Sequence, residues 1–214
     1  MTTPEILALI ARKLQDPSYT DSMLLQELNY GLRNLAYKIP LPSLITSAVV
    51  DTVLDQDYVS MPADYQTRLV FVSNTSLNSE TKCELCYNRQ TIRNMNALDA
   101  VGDVQFVAEE GGLLFYMEIP AESQSLKLTY YALPTVLTDE DTSSPDCVPA
   151  AHHMLLVNYI VSQIFAEIED GIEGQKVNTT FYLNKYLLEL EVLENEMPDP
   201  SLPRRYYPRM ISTF

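Results

Sequence analysis

Two cysteines, Cys83 and Cys86, form the tetrapeptide CELC, a spacing found in zinc sites and in redox pairs. A structural zinc site needs two further ligands, and the chain has no second CxxC. If residues 82–87 form a strand, the two thiols point to opposite faces of the sheet. Thioredoxin-like chemistry needs the pair at a helix start, which the sequence does not provide. We therefore interpret the spacing as coincidental and predict neither a metal nor a cofactor.

The other residues suited to chemistry give no catalytic arrangement. His152 and His153 are neighbours on a predicted helix, about 100° apart, so both cannot easily face one metal. The run Asp139-Glu140-Asp141 could bind a hard cation, but it is also typical of a solvated loop, which we favour. The pair Gly111-Gly112 lies in no phosphate-binding motif. We predict no catalytic residues.

The charge of the chain is divided unevenly. Its 214 residues carry a net charge of −15, with 14 basic and 29 acidic residues. All of the acids precede Ser201 and three arginines follow Pro203, so residues 1–200 carry −18. A body this acidic should repel DNA and anionic membranes. It could nevertheless let DNA pass nearby without gripping it.

Several features of the sequence bear on its location. No stretch reaches the roughly 18 apolar residues that a membrane span needs, and we interpret the N-terminus as neither a signal peptide nor an anchor. Three cysteines without a signal indicate a reducing cytosol. The chain has 14 tyrosines and no tryptophan, and tyrosine is favoured at interfaces. We expect a protein that takes part in assembly.

Helical periodicity marks both ends of the chain. Thr3-Pro4 predicts a helix start with Thr3 as the N-cap, and Thr20-Asp21-Ser22 predicts a second helix that ends before Pro40. Two more helices are predicted over residues 150–171 and 176–196. Their inward residues are predicted to be Val157, Ile160, Ile164 and Ile168 in the first, and Phe181, Leu187, Leu190 and either Val192 or Leu193 in the second.

Strand patterns fill the middle of the chain. Residues 57–74 predict a strand, a Met-Pro turn and a strand, and residues 81–89 predict a further strand. A hairpin is predicted about Glu110-Gly111-Gly112, and alternation over 125–133 predicts a half-buried strand. Residues 91–102 predict a short helix, while the apolar stretch 40–55 leaves its conformation open.

The order of helices, strands and helices predicts an α+β fold, with a helical bundle module, an inserted mainly-β module and an extended C-terminal tail. The predicted division is 1–55 for the first half of the helical module, 56–138 for the β-rich insert, 139–197 for the second helical half and 198–214 for the C-terminal strap.

The C-terminal strap ends in SLPRRYYPRMISTF, which contains no acid. Three prolines prevent the last helix from continuing into it. A frayed terminus is one interpretation, and DNA binding by three arginines is another, weaker one. We favour a segment that becomes ordered on a protein partner. The predicted contacts to that partner or to a neighbouring subunit are Arg204, Arg205, Tyr206, Tyr207, Arg209 and Phe214.

Three segments carry a resemblance to a known family. LALIARKLQDPSYTDSMLLQELNYGLRNLAYKIP, from residue 7, and YVSMPADYQTRLVFV, from residue 58, resemble the first part of head-to-tail connector (adaptor) proteins of tailed bacteriophages. LKLTYYALPTVLTDEDTSSPDCVPAAHHMLLVNYIVSQIFAEIED, from residue 126, resembles their strand, connection and Pro-initiated helix. The resemblance spans most of residues 1–195 and depends on the order of the motifs.

The resemblance implies a structural virion protein and not an enzyme. It implies a homo-oligomeric ring, commonly a dodecamer, that binds beneath the portal protein in the virion neck after assembly in the host cytoplasm. Such a ring extends the DNA channel, lets DNA pass without specific binding, and docks the tail or nozzle protein. A tail-completion or gatekeeper protein is a near alternative. A small cytosolic metal- or redox-dependent enzyme using Cys83 and Cys86 is an alternative of another class.

Overall fold

The computed structural model describes residues 1–76, 81–86, 90, 92, 94, 102–117, 120, 122–171 and 176–197, and it confirms a mixed α+β structure. Four α-helices have their full extent within these ranges: α1 Thr3–Leu14, α2 Asp21–Lys38, α3 His153–Ile168 and α4 Val177–Glu196. The strands are β1 Ile45–Asp51, β2 Tyr58–Ser60, β3 Tyr65–Asn74, β4 Thr81–Lys82, β5 Glu84–Leu85, β6 Phe106–Glu110, β7 Leu113–Met117 and β8 Ser125–Ala132.

Helix α1 begins one residue earlier than the sequence predicts, because Thr2 and not Thr3 is its N-cap. The Thr2 hydroxyl accepts from the Glu5 amide at 3.4 Å, and the Glu5 carboxylate accepts from the Thr2 amide at 2.9 Å. These two bonds form a capping box. Thr3 is buried, and both its amide and its hydroxyl donate to the carbonyl of Ser143 at 2.8 Å. Thr3 therefore ties α1 to the segment that leads into α3.

Helix α2 confirms the predicted boundaries. The Thr20 hydroxyl caps it by accepting from the Met23 amide at 3.4 Å. The helix ends at Lys38, and Ile39 is already extended before Pro40. A proline disfavours helical geometry in the residue before it, which accounts for the end of α2 at Lys38.

Helix α3 lies at the centre of the helical part and contacts α1, α2 and α4. A single 3-10 turn, Ala150–His152, precedes it. Three of its predicted inward residues, Val157, Ile160 and Ile164, are buried, but Ile168 is 40% exposed and the prediction for it is wrong. Ile168 is the last residue of α3, where the core has already ended. The helical core also contains Ile6, Ile10, Leu24, Leu28, Leu32, Leu35, Leu156, Tyr186 and Leu193.

The strands form two four-stranded sheets that share one core. The first has the order β1-β8-β3-β4 and the second β2-β7-β6-β5. All neighbouring strands are antiparallel except β5 and β6, which are parallel. Side chains from both sheets meet between them in a second hydrophobic core: Met61, Val72, Cys83, Val104, Val107, Leu114, Tyr116, Leu126, Leu128 and Tyr130.

Two predicted turns are confirmed. Residues 61–64 connect β2 to β3 at the Met-Pro turn. The β6–β7 hairpin turns at Gly111 and Gly112, whose φ angles are +63° and +78°. Residues with a Cβ rarely adopt this left-handed conformation, so glycine is required at this hairpin.

The stretch that the sequence left open forms a 3-10 turn, Pro42–Leu44, followed by strand β1. Strand β1 pairs with β8 from Ile45 opposite Tyr131 to Asp51 opposite Ser125. It therefore lies within the range 1–55 that the sequence assigns to the first helical half. The division into modules at the stated boundaries stays a prediction.

Strand β8 belongs to both hydrophobic cores. Leu126, Leu128 and Tyr130 face the core between the sheets, as their alternation predicts. Tyr131, on the opposite face, is 2% exposed and packs in the helical core. The strand that the sequence predicts as half-buried is thus covered on both sides at Tyr131.

Two predictions fall on residues outside the described ranges. Most of the predicted helix 91–102 lies there, although Gln90, Ile92 and Asn94 are helical. All of the strap, residues 198–214, lies there as well. The six interface residues predicted within the strap stay predictions.

We predict that shortening a buried side chain of β8 lowers the free energy of unfolding of the whole chain. Leu128→Ala removes a side chain with no exposed surface, and buried Leu→Ala changes cost about 2–5 kcal/mol. Val49→Ala on the neighbouring strand β1, where Val49 is 60% exposed, should change the free energy of unfolding by about 0.5 kcal/mol or less. Denaturant unfolding measures both variants. Equal losses for the two would contradict the assignment of Leu128 to the core.

Candidate interaction surface

The two cysteines of the CELC motif lie at the two ends of strand β5, Cys83 before it and Cys86 after it. Cys83 stands between β4 and β5, where the chain crosses from the first sheet to the second, and its thiol is fully buried. Its Sγ donates to the carbonyl of Val104 at 3.4 Å. Cys86 follows β5 and packs against a small cluster that contains Phe115. Within the described residues, no three His, Cys, Asp or Glu side chains come together to hold a metal ion.

Burial keeps these thiols protonated. It raises the pKa of Cys83 to about 11 and that of Cys147 to about 11. Burial, together with the charge of Glu84, also raises the pKa of Cys86. A thiol must lose its proton before it attacks a disulfide or binds a metal tightly. The geometry therefore agrees with the structural interpretation of the CELC spacing.

We predict slow reaction of the thiols in the folded chain. At pH 8 a thiol with a pKa near 11 is ionised in only about one molecule in a thousand. Ellman's reagent should modify Cys83 at the rate of unfolding. A Cys83→Ser variant should lose one slowly reacting thiol, whereas Cys147, whose pKa is also about 11, should stay slow. Cys86, which is only partly buried, should react first. Rapid modification of Cys83 in the native protein would contradict the buried position.

The two histidines have separate structural contacts. The Nε2 atom of His153 donates to the carbonyl of Val148 at 3.0 Å, so its Nδ1 accepts from the amine of Met1 at 2.9 Å. Burial lowers the pKa of His153, and the positive charge of Met1 lowers it further. The Nε2 atom of His152 lies 2.9 Å from the carboxylate of Glu196. The two rings therefore face different partners, as their adjacency predicts.

We predict that His153 makes the fold sensitive to acid. Because its pKa in the folded chain is below the usual value of 6.5, the unfolded chain binds the proton first as pH falls. The stability due to neutral His153 is complete above pH 6.5 and decreases below it, down to the lowered pKa. Unfolding at several pH values should show a smaller decrease for His153→Gln in this interval. An identical pH profile for both proteins would contradict the prediction.

The acidic loop Asp139-Glu140-Asp141 has the contacts of a turn. The Asp141 carboxylate accepts from the amide of Thr138 at 2.6 Å and from its hydroxyl at 3.0 Å. Asp141 thus closes a local loop ahead of α3. This geometry agrees with the predicted role of a solvated connection.

Polar and aromatic contacts fix the rotation of α4 against the other helices. Lys38 of α2 donates to the hydroxyl of Tyr186 at 3.2 Å, and the ring of Tyr159 lies 5.0 Å from that of Tyr186. Lys13 of α1 lies 4.8 Å above the ring of Tyr182. Asn158 of α3 donates to the carboxylate of Glu189 at 3.3 Å. The inner face of α4 therefore has contacts with three helices.

The opposite face of α4 is apolar and exposed. Phe181 and Leu187 are 51% and 47% exposed, so their predicted inward positions are wrong, and of the alternatives Val192 and Leu193 it is Val192, 50% exposed, that faces outward. Leu193 is fully buried and Leu190 packs partly against the core, as predicted. Val177, Phe181, Leu188 and Val192 fall within about 60° of one another around the helix, and we call them the outer α4 stripe. The sequence contains a signal for this second apolar surface, because apolar residues occur on both sides of α4.

Helix α2 carries a second exposed set that the sequence did not indicate. Met23, Tyr30 and Tyr37 recur every seven residues and are 47%, 61% and 61% exposed. We call them the outer α2 stripe. Exposed aromatic and apolar side chains in one line on a helix are typical of a contact surface. Within the described helices, none is long and apolar enough to cross a membrane.

The predicted strap leaves the described structure at the end of α4. The hydrogen-bond contact between His152 Nε2 and the Glu196 carboxylate joins this end of α4 to the start of α3. Met197, the next residue, packs partly on the helical core. The point where the predicted strap begins therefore packs against the helices. Its six predicted contact residues lie outside the described ranges.

A comparison with known protein families identifies the family to which the chain belongs. The chain belongs to the SU10 adaptor protein family, whose model matches residues 1–207. This match confirms the resemblance to phage adaptors that the sequence motifs indicate. It includes Arg204, Arg205, Tyr206 and Tyr207 of the strap and ends before Arg209. A comparison with curated proteins gave no match.

Proposed function

We propose that this protein is a structural component of a phage virion, an adaptor that forms a ring beneath the portal, extends the DNA channel and docks the tail. The observation that carries the proposal is the match of the SU10 adaptor protein family to residues 1–207. The proposed ring is a homo-oligomer, with twelve copies as the expected number. Its location is the virion neck, between capsid and tail.

The fold supplies the rigidity that such a ring needs. We propose that the helices before and after the β-rich part act as one helical module with a β-rich insert. Strand β8 supports this view because it contributes side chains to both hydrophobic cores. The two halves of the helical module meet where α3 packs against α1 and α2.

The acidity of the body suits a channel for DNA. Phosphates bind to clusters of Lys and Arg, and the counterions released there favour binding. Residues 1–200 carry −18, so a wall made from this surface would not hold DNA. The proposal therefore requires acidic residues on the face that lines the channel. A basic channel lining in an assembled ring would contradict it.

The strap is the proposed contact with the portal. It contains 17 residues after Met197, which reach about 55 Å when fully extended. Its prolines limit the conformations of the free segment and so reduce the entropy lost on binding. Tyr206, Tyr207 and Phe214 are the proposed apolar anchors. Arg204, Arg205 and Arg209 would meet acidic side chains or carbonyls of the portal.

A tail-completion or gatekeeper protein of the same neck is the second candidate, since it would share the assembly surfaces. Co-sedimentation separates the two: an adaptor should pellet with purified portal rings, whereas a tail-completion protein should pellet with tail tubes. The enzyme alternative gains no support from the described geometry, because Cys83 is buried and protonated.

We predict that deletion of residues 201–214 abolishes attachment to portal rings and leaves the fold intact. The deletion removes all six proposed contact residues and leaves unchanged residues 1–197, which contain the described hydrophobic cores. Co-sedimentation with portal rings measures attachment, and thermal unfolding measures the fold.

A matched control tests whether the guanidinium groups contribute more than their charge. A variant with Arg204, Arg205 and Arg209 changed to Lys keeps the charge but loses the planar guanidinium groups. We expect it to bind portal rings more weakly than the full chain but more strongly than the deletion. Normal attachment by the deletion variant would defeat the proposed role of the strap.

A further inference from the structure

The exposed faces of α2 and α4 have the same spacing. On α2, the residues Met23, Gln26, Tyr30, Arg33 and Tyr37 are all exposed and follow one another at intervals of three and four. On α4, the residues Phe181, Asn184, Leu188, Glu191 and Asn195 are exposed at the same intervals. Alternating steps of three and four are the pattern by which two helices pack in a coiled coil.

Four of the five positions match in chemistry when the helices run parallel, and the fifth places the ring of Tyr37 opposite the amide of Asn195. Met23 then lies opposite Phe181, and Tyr30 opposite Leu188, so apolar side chains meet. Gln26 lies opposite Asn184, which places one amide against another. Arg33 lies opposite Glu191, which pairs opposite charges. The antiparallel arrangement instead places Arg33 opposite Asn184 and Gln26 opposite Glu191, and it loses the charge pair.

Pairing either face with its own copy gains no ion pair: antiparallel α2 faces place Gln26 opposite Arg33, and antiparallel α4 faces place Asn184 opposite Glu191. Two parallel α4 faces would place Glu191 against Glu191, and two parallel α2 faces would place Arg33 against Arg33. Like charges at facing positions oppose association. Within one chain, both faces remain exposed because α2 and α4 use their other sides against the helical core. The matching faces must therefore meet between different copies.

We propose that the exposed face of α2 in one copy docks in parallel on the exposed face of α4 in the next copy. Such a contact joins two different surfaces, so each added copy leaves one α2 face and one α4 face free. Contacts of this kind close into a ring where the rotation between copies permits it, and otherwise continue as an open filament. The inference rests on the proposed function, for which it names the seam between subunits. Exposed charge pairs contribute little each, so the seam is weak and specific.

Disulfide trapping tests the seam. Tyr30→Cys and Leu188→Cys are made separately, one of them carrying a tag, and are oxidised at high protein concentration and also on portal rings. We expect the mixture to give tagged–untagged dimers at least about five times more often than either variant alone. The double variant should give a ladder of multimers. Wild type, with its native cysteines, and Val49→Cys on exposed β1 are the controls.

A charge exchange provides a second readout. Adding Arg33→Glu to the Tyr30→Cys variant should reduce the mixed dimer at least about fivefold, because two acids then face each other. Adding Glu191→Arg to the Leu188→Cys partner should restore it. Thermal unfolding checks that each variant is folded.

Two results would overturn the seam. One is a dimer from Leu188→Cys alone at the yield of the mixture, which would show α4 paired with α4. The other is no dimer above the controls, in solution or on portal rings. If the protein binds portal rings without the cross-link, the seam fails and the proposed function stands. If the ladder forms without portal binding, the seam stands and the proposed function fails.

Discussion

The two faces of strand β8 determine how the rest of the molecule is held together. β8 lies between β1 and β3 in the first sheet, so its backbone is bonded on both edges. Leu126, Leu128 and Tyr130 fill the space between the sheets, and Tyr131 enters the helical core. Because a strand alternates its side chains between two faces, β8 joins the helices to the sheets, together with Ile45 of β1 and Val70 of β3, which also pack on the helical core. Movement of either core would require β8 to move.

The sequence predicts the elements best where one local rule decides the conformation. The left-handed turn at Gly111-Gly112, the Thr20 cap and the alternation of β8 are such cases, and the structure confirms each. It predicts less well where several conformations satisfy the pattern. The apolar residues of β1 show only intermediate burial on one face, so their period is weak. At α1, Thr2 is the cap because it forms the capping box with Glu5, while Thr3 bonds the distant carbonyl of Ser143.

The orientation of α4 could not be predicted because its apolar residues surround the helix. Phe181 and Val192 are as apolar as Leu193, yet they face outward. The inner face is chosen by Tyr186, whose ring packs on Tyr159 and whose hydroxyl binds Lys38. Those partners lie 27 and 148 residues away in sequence, so the local sequence pattern of α4 does not reveal them. The strap is predicted from composition alone, and its contact residues stay a prediction.

The same charge that suits a DNA channel also opposes assembly. Copies with a net charge of −15 repel one another, and salt screens this repulsion only beyond about 8–10 Å. A seam with one charge pair and a few apolar contacts gains little against it. Association in free solution should therefore be weak, whereas copies held side by side by their straps on a portal gain from a high local concentration. In the proposed assembly, closure of the ring thus depends on the template, and premature rings are disfavoured by charge alone.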